Sequence, residues 1–176
     1  MDTNIALQIS DLINRRNELV IAYDAKMILD SGENYLYEIK GEKLIAYVEV
    51  KKVQWYQWEI SHLSVDENFE RQGFGRQLVA RAEEKAKNGG AKILQCTIRV
   101  DNEGSKHVFS ICDFVQVGRF YNSNTGNDVE VWQKVISLQQ RLSSEQFLNH
   151  LPCPCCSAYV GYNISDKMIF TRKVHL

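Results

Sequence analysis

The stretch ERQGFGRQL, residues 70–78, turns a strand into a helix, and this unit decides the fold. Before it, WYQWEISHLSV (55–65) is rich in the aromatic and β-branched residues that favour strands. After it, apolar residues recur at helical spacing until the Asn-Gly-Gly at 88–90. These apolar residues are Leu78, Val79, Ala82 and Ala86. The sequence therefore predicts a strand at 55–65, a polar loop at 66–75 and a helix at 76–87.

Two glycines in this loop suit the binding of an anion. Gly73 and Gly75 let the backbone approach a ligand and expose several N–H groups at the positive end of a helix dipole. Arg71 and Arg76 flank them and can add charge-assisted hydrogen bonds to a phosphate. The loop is not a Walker loop, because no Gly-Lys-Ser/Thr follows. A pyrophosphate site is one interpretation, and a plain glycine turn with solvated arginines is the other.

The rest of the chain predicts further elements around one central sheet. A first helix through residues 5–13 would be capped by Thr3 or Asn4. A third helix would carry Ser105, Val108, Phe109 and Cys112 on its packing face. The strands are expected at 35–40, 44–53, 55–65, 92–100, 114–122 and 129–136. The strand at 92–100 is nearly all apolar, which is typical of burial on both faces. This order predicts a mixed α/β fold, a mostly antiparallel sheet flanked by helices.

Composition excludes several function classes. The 176 residues carry 21 Lys and Arg against 22 Asp and Glu, a net charge of −1, which argues against nucleic acid or an anionic membrane as partner. No uncharged apolar run approaches the roughly 18 residues of a membrane span, and the N-terminus does not resemble a secretory signal. Five cysteines, an odd number unevenly spread, indicate a reducing compartment, so we expect a cytoplasmic protein.

The composition changes near residue 138, which predicts a main domain at 1–137 and a C-terminal extension at 138–176. Both prolines and three of the five cysteines fall in LPCPCC (151–156). A short helix at 143–150 and a hairpin from 157–162 and 167–174 are expected around it. Cysteine and histidine can hold zinc, but C-P-C-C lacks the C-x₂-C spacing, so no metal site is predicted. A metal- or redox-responsive interaction protein stays open as an alternative.

The strand–loop–helix unit resembles the GNAT superfamily, the Gcn5-related N-acetyltransferases. Their signature Q/R-x-x-G-x-G/A corresponds to ERQGFG at 70–75, and the preceding LSVD at 63–66 is also similar. A second family motif, N-x-x-A-x-x-L-Y-x-x-x-G-F, corresponds to NEGSKHVFSICDF at 102–114. The resemblance spans about residues 35–136 and implies a GNAT-like acyltransferase fold.

This resemblance implies an acetyl-CoA-dependent N-acetyltransferase acting on a small-molecule or peptide amine. The acyl donor would lie where strands 58–65 and 92–99 splay apart, with its pantetheine arm on the backbone of Leu63, Ser64 and Val65. Backbone N–H groups would hold the pyrophosphate, and these belong to Arg71, Gln72, Gly73, Phe74, Gly75 and Arg76. Asn102 would bind from the other wall, together with Ser105 and Phe109 of the second motif.

A catalytic base is expected on the strand that leads into the loop. Glu59 holds the position that the catalytic glutamate has in the histone-acetylating branch of the family. His62 is the alternative base, since its ordinary pKa of about 6.5 suits the task. Strand alternation would place His62 on the face opposite Glu59, Ser61 and Leu63 unless a bulge intervenes.

Three positions depart from the family pattern. Glu70 stands where Gln or Arg is usual, and a carboxylate beside a phosphate is unfavourable unless it points away. Asp113 replaces a Gly, which suggests a different helix end. Phe109 replaces a Tyr that protonates the leaving thiolate in many relatives, so water, Ser110 or Tyr121 would have to do so. A non-catalytic acyl-CoA-binding or sensor module is therefore the alternative function.

Overall fold

The computed structural model describes residues 1–17 and 19–136, together with the backbone of two short strands. The chain divides into two compact units, Met1–Ser137 and Leu138–Leu176. In the second unit, Val160–Tyr162 (β7) pairs antiparallel with Met168–Phe170 (β8), within the segments predicted as a hairpin. The predicted helix at 143–150 and the cysteines of the CPCC segment lie outside the described residues.

The first unit is a six-stranded mixed sheet with helices on both faces. Its elements are α1 (Thr3–Arg16), α2 (Ala25–Asp30), β1 (Tyr35–Lys40), β2 (Lys43–Lys52), β3 (Gln57–Val65), α3 (Phe74–Asn88), β4 (Ile93–Arg99), α4 (Glu103–Ser110), β5 (Val115–Asn122) and β6 (Asn127–Val135). Single 3₁₀ turns occupy Gly32–Asn34 and Glu67–Phe69. The strand order is β1-β2-β3-β4-β6-β5, and every neighbouring pair is antiparallel except β3–β4. The predicted fold class is confirmed.

The helices differ from the prediction mainly at their ends. The side chain of Asp2 caps α1 by accepting a hydrogen bond from the Ile5 N–H at 2.8 Å, so the expected caps Thr3 and Asn4 were wrong. Helix α3 begins at Phe74, two residues before the predicted start, because a 3₁₀ turn shortens the loop. Helix α2 was not predicted, since six residues are too few to show a helical period. No helix within the described ranges is long and apolar enough to cross a membrane.

Two apolar clusters form the core. Ala46, Val48 and Val50 of β2 pack with the apolar stripe of α3, whereas Tyr47 packs with α1. Consecutive residues of a strand point to opposite faces, so the clusters lie on opposite sides of the sheet. Strand β4 is buried on one face only, since Thr97 is exposed; the expected burial on both faces was wrong. Helix α1 covers the β1–β2 side of that second face instead.

The central parallel pair comes apart halfway along its length. Strands β3 and β4 pair only from Gln57–Ile93 to Ile60–Cys96. Beyond that point β3 carries a bulge against β2, because Tyr47 pairs with Ser64 whereas Glu49 pairs with Ser61. His62 lies in this bulge and adopts a φ of 51°, the left-handed region. The two strands therefore open a cleft on the side of the loop before α3.

Gly89, just after α3, makes room for the indole of Trp58 on β3. A Cβ atom at residue 89 would lie 2.1 Å from Trp58 Cζ2. We expect Gly89→Ala to destabilise the protein by roughly 1–3 kcal/mol, because a packed indole must move. Urea unfolding followed by circular dichroism measures the change. Gly104→Ala is the control, since its Cβ would meet only Asn102 Oδ1 at 3.8 Å; equal loss in both variants would contradict this explanation.

Candidate functional site

Two adjoining cavities occupy the cleft between β3 and β4. The larger, about 720 Å³, lies against the start of α3 and is called the helix-end cavity. The smaller, about 390 Å³, lies against the parted strands and is called the strand cavity. Both are lined by the same five residues at their junction, namely Arg16, Asn17, Leu63, Asn102 and Ser105. A ligand filling the first cavity can therefore present a reactive end to a molecule in the second.

The start of α3 provides backbone donors to the helix-end cavity. Gly73 is the N-cap residue, with a φ of 88°, and no side chain caps this helix. Asp2, Asp24 and Asn102 cap α1, α2 and α4 with their side chains. The first N–H groups of a helix have no acceptor within it. At α3 they remain available to an anion, which the helix dipole also favours.

Most of the predicted binding residues line the helix-end cavity. These are Leu63, Ser64, Val65, Arg71, Gly73, Phe74, Gly75, Arg76, Asn102 and Ser105. Two predicted residues are not among its lining: the Gln72 side chain donates to the Asn68 carbonyl at 3.2 Å, and Phe109 lines the strand cavity. Gly75 is buried, and an added Cβ would lie 3.8 Å from Val108 and 3.9 Å from Val65. An added methyl group at Gly75 would thus make only ordinary van der Waals contacts, whereas a large side chain would take up space of the cavity.

The loop before α3 is fixed to the sheet. The buried Asp66 carboxylate pairs with Lys43 Nζ at 3.0 Å and accepts a hydrogen bond from the Asn68 N–H at 3.1 Å. The ring of Phe69 lies beneath two ammonium groups, those of Lys40 and Lys43, at 5.5 and 5.4 Å from its centroid. These contacts hold the backbone donors in place before any ligand arrives.

Glu70, the carboxylate expected to be unfavourable here, has a cationic partner. Arg16, at the end of α1, pairs with Glu70 through Nη2 and with Glu67 through Nη1, the latter at 3.2 Å. Sequence reasoning missed Arg16. The unusual Glu70 was a signal that a cation is needed, but a partner 54 residues away cannot be identified without the fold.

The opposite walls of the cleft come from β3 and α4. From Ser61 to Val65 the edge of β3 that faces β4 has no strand partner within the described part of the chain, so an extended ligand can pair with it. Across the cleft, Asn102 Oδ1 accepts the Ser105 N–H at 3.0 Å and so caps α4. The amide nitrogen of Asn102 is then the atom that can donate to a ligand.

Both candidate bases line the strand cavity. The Ser61 hydroxyl donates to Glu59 Oε1 at 3.3 Å, and Lys51 lies opposite Glu59 in the β2–β3 register. Because of the bulge, His62 lines the same cavity as Glu59, whereas Leu63 packs with the α3 side of the core. The faces that regular strand alternation gave for His62 and Leu63 were therefore wrong, and the exception allowed for a bulge applies. His62 Nε2 lies 3.1 Å from the Tyr23 hydroxyl.

Burial and electrostatics weaken His62 as a base. Burial, with a smaller contribution from the Lys51 charge, lowers the pKa of His62 from 6.5 to about 4. Burial likewise raises the pKa of the Cys96 thiol, which lines the same cavity and is therefore a poor nucleophile.

Phe109 forms an apolar part of the strand cavity. Only 3% of it is exposed, and its ring meets that of Phe114 edge to face at 5.1 Å between centroids. Neither Ser110 nor Tyr121 is among the described residues that line the two cavities. Asp113 adopts a φ of 64°, the conformation for which Gly is the usual residue, so the helix end is kept despite the substitution.

Solved structures of low sequence identity share this fold. The protein YncA from Salmonella typhimurium, solved with its cofactor acetyl-CoA, has a TM-score of 0.69 and 15% identity over 80% of this chain and 93% of that one. An N-acetyltransferase from Staphylococcus aureus Mu50 gives 0.68 and 15% over 78% and 96%. The ribosomal-protein-S18-alanine N-acetyltransferase from Escherichia coli gives 0.64 and 17% over 81% and 94%. No curated protein matches the chain.

A family model identifies the chain more directly. The model described as the acetyltransferase (GNAT) family matches residues 6–114, which is more than half of the 176 residues. The matched region contains the loop before α3 and both walls of the cleft. The chain therefore belongs to the GNAT family of acetyltransferases.

Proposed function

We propose that the protein transfers an acetyl group from acetyl-CoA to an amine of a small-molecule or peptide acceptor. The observation that carries this proposal is the uncapped start of α3, which faces a cavity joined to the one that contains Glu59. Membership of the GNAT family supports acetyl-CoA as acyl donor. We assign this activity to residues 1–137 and expect it in the cytoplasm.

Acetyl-CoA would occupy the helix-end cavity. The N–H groups from Arg71 to Arg76 would bind its pyrophosphate, with the two arginine side chains adding charge. The partnerless edge of Leu63, Ser64 and Val65 would pair with the pantetheine arm. Its thioester, which supplies an activated acetyl group, would then lie at the junction beside Asn102 and Ser105.

Glu59 would act as the base. An aliphatic amine has a pKa of about 10.4, so it must lose a proton before it can attack. The Glu59 carboxylate takes that proton, and the neutral amine nitrogen bonds to the acetyl carbon while the carbon–sulfur bond breaks; the nitrogen then gives its second proton to water. The electron pair leaves with the sulfur. A thiolate is a weak base, with a thiol pKa of about 8.5, so water can protonate it and the missing hydroxyl at Phe109 is tolerated.

His62 would shape the acceptor side of the cavity instead. A histidine with a pKa of about 4 is a poor proton acceptor at neutral pH. Its contact with Tyr23 links β3 to the segment between α1 and α2, so Tyr23 would hold His62 in place in the acceptor wall.

The absence of a hydroxyl group at Phe109 favours one alternative function, a non-catalytic acyl-CoA-binding or sensor module. In that case acetyl-CoA would bind but no amine would be acetylated. Incubation of the wild type with acetyl-CoA and a panel of small-molecule and peptide amines, with free thiol as the readout, separates the two functions. Binding without amine-dependent thiol release supports the sensor.

The cofactor site is tested at Gly75. Gly75→Trp should abolish calorimetric binding of coenzyme A, because an indole fills the space beside Val65 and Val108. Gly75→Ala should bind nearly as the wild type does. Ala80→Trp, on the exposed face of the same helix, is the control for helix stability. Unchanged binding by a folded Gly75→Trp variant would contradict the assigned site.

The base is tested by Glu59→Gln. We expect kcat to fall by roughly 10²–10⁴, because an amide cannot accept the proton, while the Kd for acetyl-CoA stays the same. Glu84→Gln on the exposed side of α3 is the matched control. Steady-state acetylation and calorimetry give the two quantities. A variant with full turnover would show that Glu59 is not the base.

His62 should make the protein less stable in mild acid. Its pKa is lowered on folding from 6.5 to about 4, so between these values the unfolded state binds more protons. Stability should therefore fall as pH drops below 6.5, by about 2 kcal/mol between pH 7 and 5. Urea unfolding across this range should show a flatter dependence for His62→Asn, which tolerates the positive φ. The exposed His107→Asn serves as control; equal pH slopes in wild type and His62→Asn would contradict the assignment.

A further inference from the structure

We propose that Arg16 is a positioning residue for the acyl donor: it keeps the carboxylates of Glu67 and Glu70 from repelling the pyrophosphate at the start of α3. This inference rests on the proposed function, since it concerns the same helix-end cavity. It assigns a cofactor-related role to α1, an element that supplies none of the expected binding residues.

Arg16 is firmly placed at the junction of the two cavities. It is the last residue of α1, and only 31% of its side chain is exposed. The next residue, Asn17, donates through Nδ2 to the Ile13 carbonyl at 3.0 Å and to Ser64 Oγ at 3.4 Å. The end of α1 is thus bonded to β3 beside the cleft, which fixes the point from which the guanidinium reaches the loop.

The guanidinium binds one carboxylate with each terminal nitrogen. Nη1 lies 3.2 Å from Glu67 Oε1, and Nη2 contacts Glu70 Oε1. Glu70 itself lines the helix-end cavity and directly precedes Arg71. Because both terminal nitrogens contact glutamates, the single positive charge of Arg16 offsets part of the charge of the two carboxylates and is directed at them.

The loop cannot relieve the repulsion by moving away. At the start of the loop, Asp66 pairs with Lys43 at 3.0 Å. Just before Glu70, the ring of Phe69 lies within 5.5 Å of the ammonium groups of Lys40 and Lys43. With its backbone held, the loop keeps Glu67 and Glu70 close to the start of α3. Without Arg16, the Glu70 carboxylate would face a second anion at the helix-end cavity, and the more exposed Glu67 carboxylate would add a better-screened negative charge nearby.

The test compares coenzyme A binding by calorimetry in the wild type, Arg16→Gln and Arg15→Gln. Arg15 is the matched control, because it belongs to the same helix end but pairs with Asp11 outside the two cavities. We expect the Kd to rise about tenfold in Arg16→Gln and to be unchanged in Arg15→Gln. The rise should shrink at high salt, because added ions screen the repulsion.

A second substitution separates shielding from direct contact. In Arg16→Gln/Glu70→Gln the Kd should return most of the way to the wild-type value, because one repelling carboxylate has gone. A merely structural loss would not be rescued in this way. Circular dichroism and the melting temperature confirm that each variant is folded.

Three results would overturn the inference. Wild-type affinity in Arg16→Gln would show that the carboxylates need no partner. A weakened affinity that persists in the double variant would show that Arg16 acts through structure or direct contact and not by offsetting the Glu70 carboxylate. Failure of the wild type to bind coenzyme A would overturn the proposed function as well, whereas the first two results leave that function intact.

Discussion

The parting of β3 from β4 is the constraint on which the site depends. Parallel pairing stops after Ile60 and Cys96, and the bulge at His62 turns the following residues of β3 away from the ladder. A sheet normally satisfies its backbone groups by pairing strands edge to edge. Here one edge of β3 has no strand partner within the described residues after Ile60, while its other edge is paired with β2 on both sides of the bulge. The two cavities meet in this gap.

The proposed anion site at α3 depends on the absence of a side-chain cap as well as on the exposed backbone N–H groups. Gly73 provides a left-handed N-cap without a side chain, so the first N–H groups are not consumed internally. The surrounding loop carries both signs of charge, and each carboxylate in it has a cationic partner: Lys43 for Asp66, and Arg16 for Glu67 and Glu70. This pairing would let an acidic loop border the proposed phosphate site.

The ionisable side chains that line the strand cavity differ in how burial affects them. Glu59 is half-buried and accepts a hydrogen bond from the Ser61 hydroxyl, whereas burial disfavours the charged forms of His62 and Cys96. We therefore propose Glu59, rather than His62 or Cys96, as the base. The buried ring of Phe109 lines the same cavity and offers no proton donor there.

The sequence alone determined the order of the elements, the glycine turn and the family, because these depend on residues close together in the chain. Alternation, helical period and the motif at 70–78 predicted all six strands of the sheet and both helices that flank the cleft. Tertiary structure decided what depends on distant partners. The bulge that brings His62 and Glu59 into one cavity arises from pairing with β2, and no local pattern encodes it. Likewise Arg16 reaches Glu70 only because α1 packs against the sheet beside the loop, which makes neighbours of residues 54 positions apart.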